Sequence, residues 1–104
     1  MSADYETEYA VNWLRLERLR QIHEEGYDRE HDDGHDWRQF VKAATAYLLA
    51  AVDMPHHGAE FWPWEPEYFK PKSPFRNMVR AGALLIAGME RFARERIEPL
   101  NPTR

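Results

Sequence analysis

Apolar residues recur at spacings of three and four along three stretches of the chain. Tyr9, Trp13, Leu16, Leu19 and Ile22 predict a first helix over residues 5–25, with Leu14 widening its apolar face and Gly26 as a stop. The intervening Arg15, Glu17, Arg18, Arg20 and Gln21 read as its solvated side, with Glu17 and Gln21 on one face. Asp36 and Gln39 have capping-box spacing, so a second helix begins there. Trp37, Phe40, Val41, Ala44, Tyr47, Leu48 and Ala51 carry its apolar pattern, and Asp53, Pro55 and Gly58 end it. Ser73 as cap and Pro74 in the first turn open a third helix that runs to about Glu98, before Pro99.

The centre of that third helix, from Ala81 to Met89, is apolar on nearly every side, the pattern of a helix buried on several faces. Gly82, Ala83, Ala87 and Gly88 let another backbone approach closely. One partner helix cannot cover the whole circumference, which predicts a homodimer with its crossing near Gly82 and Gly88. Residues 53–74 hold five of the seven prolines and the cluster Phe61-Trp62-Pro63-Trp64. Such a long connection with apolar content of its own is expected to fold back over the helices. The predicted architecture is all-α: a compact three-helix domain over residues 1–104, with the aromatic and proline-rich segment packed on one side. Its expected core is Trp13, Leu16, Leu19, Phe40, Val41, Ala44, Leu48, Val79, Leu84, Leu85, Ile86 and Met89.

Composition narrows the function classes. A chain of 104 residues buries only about two-thirds of its surface, so the core is limited. The absence of cysteine excludes disulfides and thiolate metal sites and fits a cytoplasmic setting. Met1-Ser2-Ala3-Asp4 does not open a secretory signal, and the apolar run from Ala81 to Met89 is too short to span a bilayer. A formal charge of −4 disfavours duplex nucleic acid as a partner, although the arginines from Arg76 onward outnumber the glutamates.

The densest chemistry lies in Glu24 to Asp36, where seven carboxylates and two imidazoles are offset by Arg29 alone. Crowding of this kind is relieved by solvent, a cation or a basic partner. His31, Asp32, Asp33 and His35 are the candidate metal ligands, a nitrogen and oxygen set suited to magnesium, manganese or zinc. The alternatives are a solvated turn tied to Arg29 and the C-terminal arginines, and recognition of a polar ligand or protein partner. Glu25, Tyr27, Trp62, Trp64, Arg76 and Arg80 are the candidate contacts, with core cover as the plainer role of the tryptophans. Adjacent His56 and His57 point apart and make a poor ligand pair. Ser2 and Ser73 are the only serines, so a serine triad is not expected, and there is no glycine-rich phosphate loop. An enzyme built from these residues would use metal-activated water on a phosphoryl group.

Several blocks together resemble a family of small helical proteins carried by bacteriophages and prophages. They are Glu17-Arg18-Leu19-Arg20-Gln21-Ile22, Glu25-Gly26-Tyr27, the run from Glu30 to His35, Ala43-Ala44-Thr45-Ala46-Tyr47, Trp62-Pro63-Trp64, Phe69-Lys70-Pro71 and the run from Arg76 to Ala87. The resemblance implies a phage-associated accessory protein in the host-cell cytoplasm that binds a host or viral protein, or a small polar ligand such as a nucleotide, through the acidic turn. A more distant similarity is to the all-helical nucleoside triphosphate pyrophosphohydrolases of the MazG type. Those bind magnesium through a Glu-x-x-Glu pair and a later Glu-x-x-Asp pair. Neither motif is formed around Glu17 to Glu25 or around Glu90. The alternatives are therefore a divalent-metal-dependent pyrophosphohydrolase-like enzyme and a structural homodimer without a small ligand.

Overall fold

In the computed structural model, which describes residues 3–96, the chain forms five α-helices and one 3-10 turn. They are α1 (Ala3–Glu24), α2 (Arg29–Asp33), α3 (Trp37–Ala51), α4 (Pro55–Phe61), the turn Pro66–Tyr68, and α5 (Pro74–Arg96). The all-α class stands, but the expected count of three helices is corrected to five among the described residues. Neither extra helix is long enough to show apolar periodicity. α2 is started by Asp28, whose side chain accepts the His31 N–H at 2.9 Å. α4 has Pro55 in its first turn, a position that needs no N–H, so the residue that stops one helix starts the next. The expected end of the last helix near Glu98 lies outside the described residues.

α5 lies between α1 and α3, while α4 packs on α3. The α3–α5 contact is built from Phe40, Ala43, Ala44 and Tyr47 on one side and Ala81, Leu84 and Ala87 on the other, all buried. Trp62 joins this core, with Trp64 and Phe69 packed against it. The small residues of α5 serve crossings within the chain. A Cβ at Gly82 would lie 2.5 Å from Leu14 Cδ2 of α1, and one at Gly88 would lie 3.1 Å from Phe40 Cβ of α3. These glycines therefore do not form the face once expected at a dimer crossing.

Phe40, Ala44, Val79 and Leu84 are buried as expected. Leu16, Leu19, Val41, Leu48, Leu85 and Met89 are exposed instead. The largest departure is α1, which turns Glu17, Arg18 and Gln21 inward and leaves Leu16 51% exposed. Part of the side read as solvated is buried because Arg18 and Glu17 find partners there. Arg18 Nη2 donates to Asp32 Oδ2 at 2.8 Å, Nε to Glu90 Oε1 at 2.9 Å and Nη1 to the Tyr27 carbonyl at 3.0 Å. Arg20 holds Glu17 at 2.7 Å and Glu25 at 2.7 Å. No helix among the described residues is long and apolar enough to cross a membrane.

Removing Arg18 strands the wholly buried Asp32 carboxylate. Arg18→Ala is expected to lower the unfolding free energy by about 3–5 kcal/mol. Leu16→Ala should stay within about 0.5 kcal/mol, as for an ordinary surface change. Urea unfolding of the two variants beside the parent chain measures the contrast, which the apolar pattern alone would rank the other way.

Candidate functional site

α1 ends at a reversal in which Gly26 takes φ +76° and the Tyr27 N–H returns to the Gln21 carbonyl at 2.9 Å. The reversal brings Tyr27 over α2, where its ring stacks on His31 with centroids 4.9 Å apart and planes 14° from parallel. His35 follows at 4.7 Å from His31, and Trp64 meets His35 edge-on at 5.4 Å. Trp64 also packs edge-on against Phe40 and Trp62, which fixes it to the core.

Both imidazoles are held through Nδ1. His31 Nδ1 lies 2.9 Å from Asp32 Oδ1, and His35 Nδ1 lies 3.1 Å from Gln39 Oε1. Each partner oxygen is an acceptor, so Nδ1 carries a proton and donates in both contacts. Gln39 is also the third residue of the α3 capping box, where its Oε1 accepts the Asp36 N–H. The capping box expected from the spacing is therefore formed, and it holds a site residue as well.

These rings wall a cleft of about 540 Å³. Tyr27, His31, His35, Trp64 and Tyr68 supply aromatic surface, while Glu24, Glu25, Glu65 and Lys70 supply charge. A narrower crevice of about 10 Å³ shares Glu25, Tyr27 and Tyr68 with the cleft and reaches inward to Gln21, Tyr47, Trp62 and Arg80. That volume admits about one small polar group. Gln21 is 2% exposed, and its Oε1 has no hydrogen-bond partner; Trp64 Nε1 is likewise buried without one. Arg80 Nη1 donates to Tyr47 Oη at 3.3 Å and to the Lys70 carbonyl at 3.2 Å, and its Nε is unpartnered. The Lys70 N–H donates to the same Tyr47 oxygen at 2.9 Å, tying this wall to the core.

The electrostatics follow from these positions. Burial, reinforced by the negative charge of Glu25, pushes the Tyr27 phenol up to about 12. The Glu17 hydrogen bond raises Arg20 above its already high value, against the opposing effect of burial and with help from Glu25. Arg94 donates to Asp33 at 2.8 Å and holds its carboxyl below the usual range. Asp36 is lowered as well, chiefly by the Arg38 N–H that it caps.

Of the expected contacts, Glu25, Tyr27 and Trp64 line the cleft, and Arg80 reaches the crevice. Trp62 is buried, at the floor of the crevice, with its Nε1 donating to the Glu65 carbonyl at 2.9 Å. Arg76 is elsewhere, with its guanidinium 5.3 Å from the Trp13 ring centre. The expected metal set of His31, Asp32, Asp33 and His35, and with it a magnesium, manganese or zinc cofactor, is corrected. Among the described residues no group of three His, Cys, Asp and Glu could hold a metal ion. Asp32 has one oxygen on Arg18 and the other on His31, while Asp33 turns to Arg94. Consecutive residues on a helix lie about 100° apart, so α2 sends these two carboxylates in different directions. His56 and His57 are exposed on α4, away from the cleft lining.

Gln21, Glu65, Tyr68 and Lys70 were not singled out from the sequence. The shared face of Glu17 and Gln21 was a usable signal for one of them, but its direction was misread. The remainder arrive from a distant, aperiodic segment.

An absorbance titration of phenolate is expected to reveal a phenol that stays protonated past pH 11 and is missing from Tyr27→Phe. Because the folded value exceeds the unfolded one near 10, its stabilising contribution is complete below pH 10 and disappears as pH rises through 12. Asp33 and Asp36 act in the opposite sense. Their lowered folded values support stability above the ordinary carboxylate range, and that support is lost as pH falls through them. Asp33→Asn should flatten the acid side of a melting-temperature profile.

Comparisons with protein-family models, with curated proteins and with solved structures return no match, so the chemistry of the cleft itself carries the functional reading.

Proposed function

We propose that this protein is a binding module for a small, planar, amino-bearing ligand, held in the cleft lined by Tyr27, Trp64 and Tyr68. The observation that carries the reading is the unpartnered Gln21 Oε1, an acceptor buried beside a crevice of one-group size. A buried polar group without a partner costs about 1–3 kcal/mol, which a ligand donor at that position would offset. Glu17 and Glu25 border the same crevice but are both paired with Arg20, so the preference for an amino edge over a carbonyl rests on the Gln21 acceptor. The outer cleft offers aromatic faces for stacking. Three glutamates against one lysine at the cleft disfavour a polyphosphate tail, which favours a nucleobase or nucleoside over a nucleotide.

The blocks that resemble phage-borne proteins supply much of this arrangement. Gln21, Glu25 and Tyr27, His31 and His35, Trp62 and Trp64, and Arg80 all come from them. That convergence supports an accessory role in a host-cell cytoplasm, with the ligand site as its working part.

Matched nucleoside pairs test the reading through Trp64 fluorescence and thermal shift. Adenosine should bind at least about tenfold more tightly than inosine, and cytidine than uridine, because each second member loses the amino group. Gln21→Leu should abolish the discrimination, and Trp64→Phe should weaken binding without abolishing it. Equal response to both members of each pair, or no response at millimolar concentration, would overturn the proposal.

A further inference from the structure

α3 and α5 run antiparallel, with Phe40 beside Gly88 and Tyr47 beside Arg80. Toward the start of α3 the two helices leave a groove of about 500 Å³ between them. Trp37 and Val41 line it from α3, and Leu85, Gly88, Met89 and Phe92 line it from α5, with no charged side chain in the lining. Trp37 and Phe92 already pack edge-on against each other, with centroids 5.2 Å apart. The open apolar surface is therefore that of Val41, Leu85 and Met89, exposed by 37%, 45% and 64%. Leu85 and Met89 stand one turn apart on α5, and exposed Leu48 continues the Val41 line two turns along α3.

The rim of this groove opposes the sign of the chain, whose formal charge is −4. The Arg38 guanidinium lies 4.5 Å from the Trp37 ring centre, and that of Arg96 lies 3.8 Å from the Phe92 ring centre. Each aromatic residue of the groove thus has a cation on it. Their carboxylate partners are distant: Asp36 is 3.3 Å from Arg38, and Glu95 is 4.0 Å from Arg96 and shared with Arg91. Lys42 is exposed one turn beyond Arg38, in the row beside Trp37 and Val41, and has no ion pair among the described residues. Three cations thus flank the groove against two carboxylates that are already engaged.

We infer that this groove docks an amphipathic helix of a partner protein, its apolar stripe on Val41, Leu85 and Met89 and its acidic flank against Arg38, Lys42 and Arg96. An apolar channel between two antiparallel helices accepts a third helix as a ridge in a groove, with anchors at three- and four-residue spacing. Met89 lets the channel adapt, because its side chain is unbranched and polarisable. The charged rim then selects the sign of the partner. A second copy of this chain, docked about a two-fold axis here, would bring the same three cations together, which disfavours it. Groove and cleft share no lining residue, so docking is tested without the ligand.

Two fluorescently labelled peptides of about 18 residues, long enough to hold a helix, serve as probes. Both carry leucines at three- and four-residue spacing, one with glutamate and the other with lysine at the flanking positions. Anisotropy with the full chain should show the glutamate peptide binding at least about tenfold more tightly, against the sign of the whole chain, and the preference should shrink as salt is added. Leu85→Ser with Met89→Ser should weaken the glutamate peptide at least about tenfold while the helical circular dichroism is retained. Leu16→Ser, off the groove, should not weaken it. Arg38→Glu with Lys42→Glu should reverse the preference toward the lysine peptide. Equal affinity for the two peptides, or no binding of either at submillimolar concentration, overturns the inference. Binding that Leu85→Ser with Met89→Ser leaves unchanged overturns it too. Light scattering that shows a dimer broken by that same double variant assigns the groove to a second copy and also overturns it.

Discussion

One buried cation sets the orientation on which the rest of this molecule depends. Arg18 reaches Asp32 of α2, Glu90 of α5 and the Tyr27 carbonyl between α1 and α2, and so joins three elements through one side chain. Such a group is stable only when its partners are close and complete. Meeting that condition requires α1 to face inward with its polar side. The same rotation carries Gln21 and Glu17 to the crevice and puts Leu19 and Val11 on the outside. The polar cleft and the apolar outer face are thus two results of one rotation.

The molecule divides its stabilising work accordingly. Between α3 and α5 the interior is made of rings and methyl groups, with Phe40 and Leu84 almost wholly enclosed. Toward α1 it adds ion pairs and hydrogen bonds to the Trp13–Phe75 and Leu14–Gly82 contacts. The aromatic group of Tyr27, His31, His35 and Trp64 lies where the two kinds of interior meet. A site there can offer both stacking surface and unpartnered polar atoms, which neither interior would supply alone.

Much of the local architecture was legible from the residues. The Asp36–Gln39 box, the Ser73-Pro74 start and the Gly26 reversal are short-range devices, and each is formed close to where its residue types place it. The face of α1 was not legible. Periodicity locates a stripe of apolar residues but does not say that Arg18 will find Asp32 and Glu90, which lie 14 and 72 positions away. The site was read in part for the same reason. Tyr27, His31 and Trp64 stand out by type, whereas Gln21, Tyr68 and Lys70 gain meaning only from their neighbours in space. The acidic run looked like one cluster because its members are close in sequence. On α2 the neighbours Asp32 and Asp33 serve Arg18 and Arg94 on different sides.

The double duty of Gln39 has a further consequence. Its Oε1 accepts both the first N–H of the α3 cap and the His35 ring, just as Asp32 fixes His31 from within the Arg18 network. Neither imidazole can change rotamer without loosening a helix start or a buried ion pair. Their conformational entropy is therefore surrendered when the chain folds rather than when the cleft fills, and a ligand meets rings that are already still.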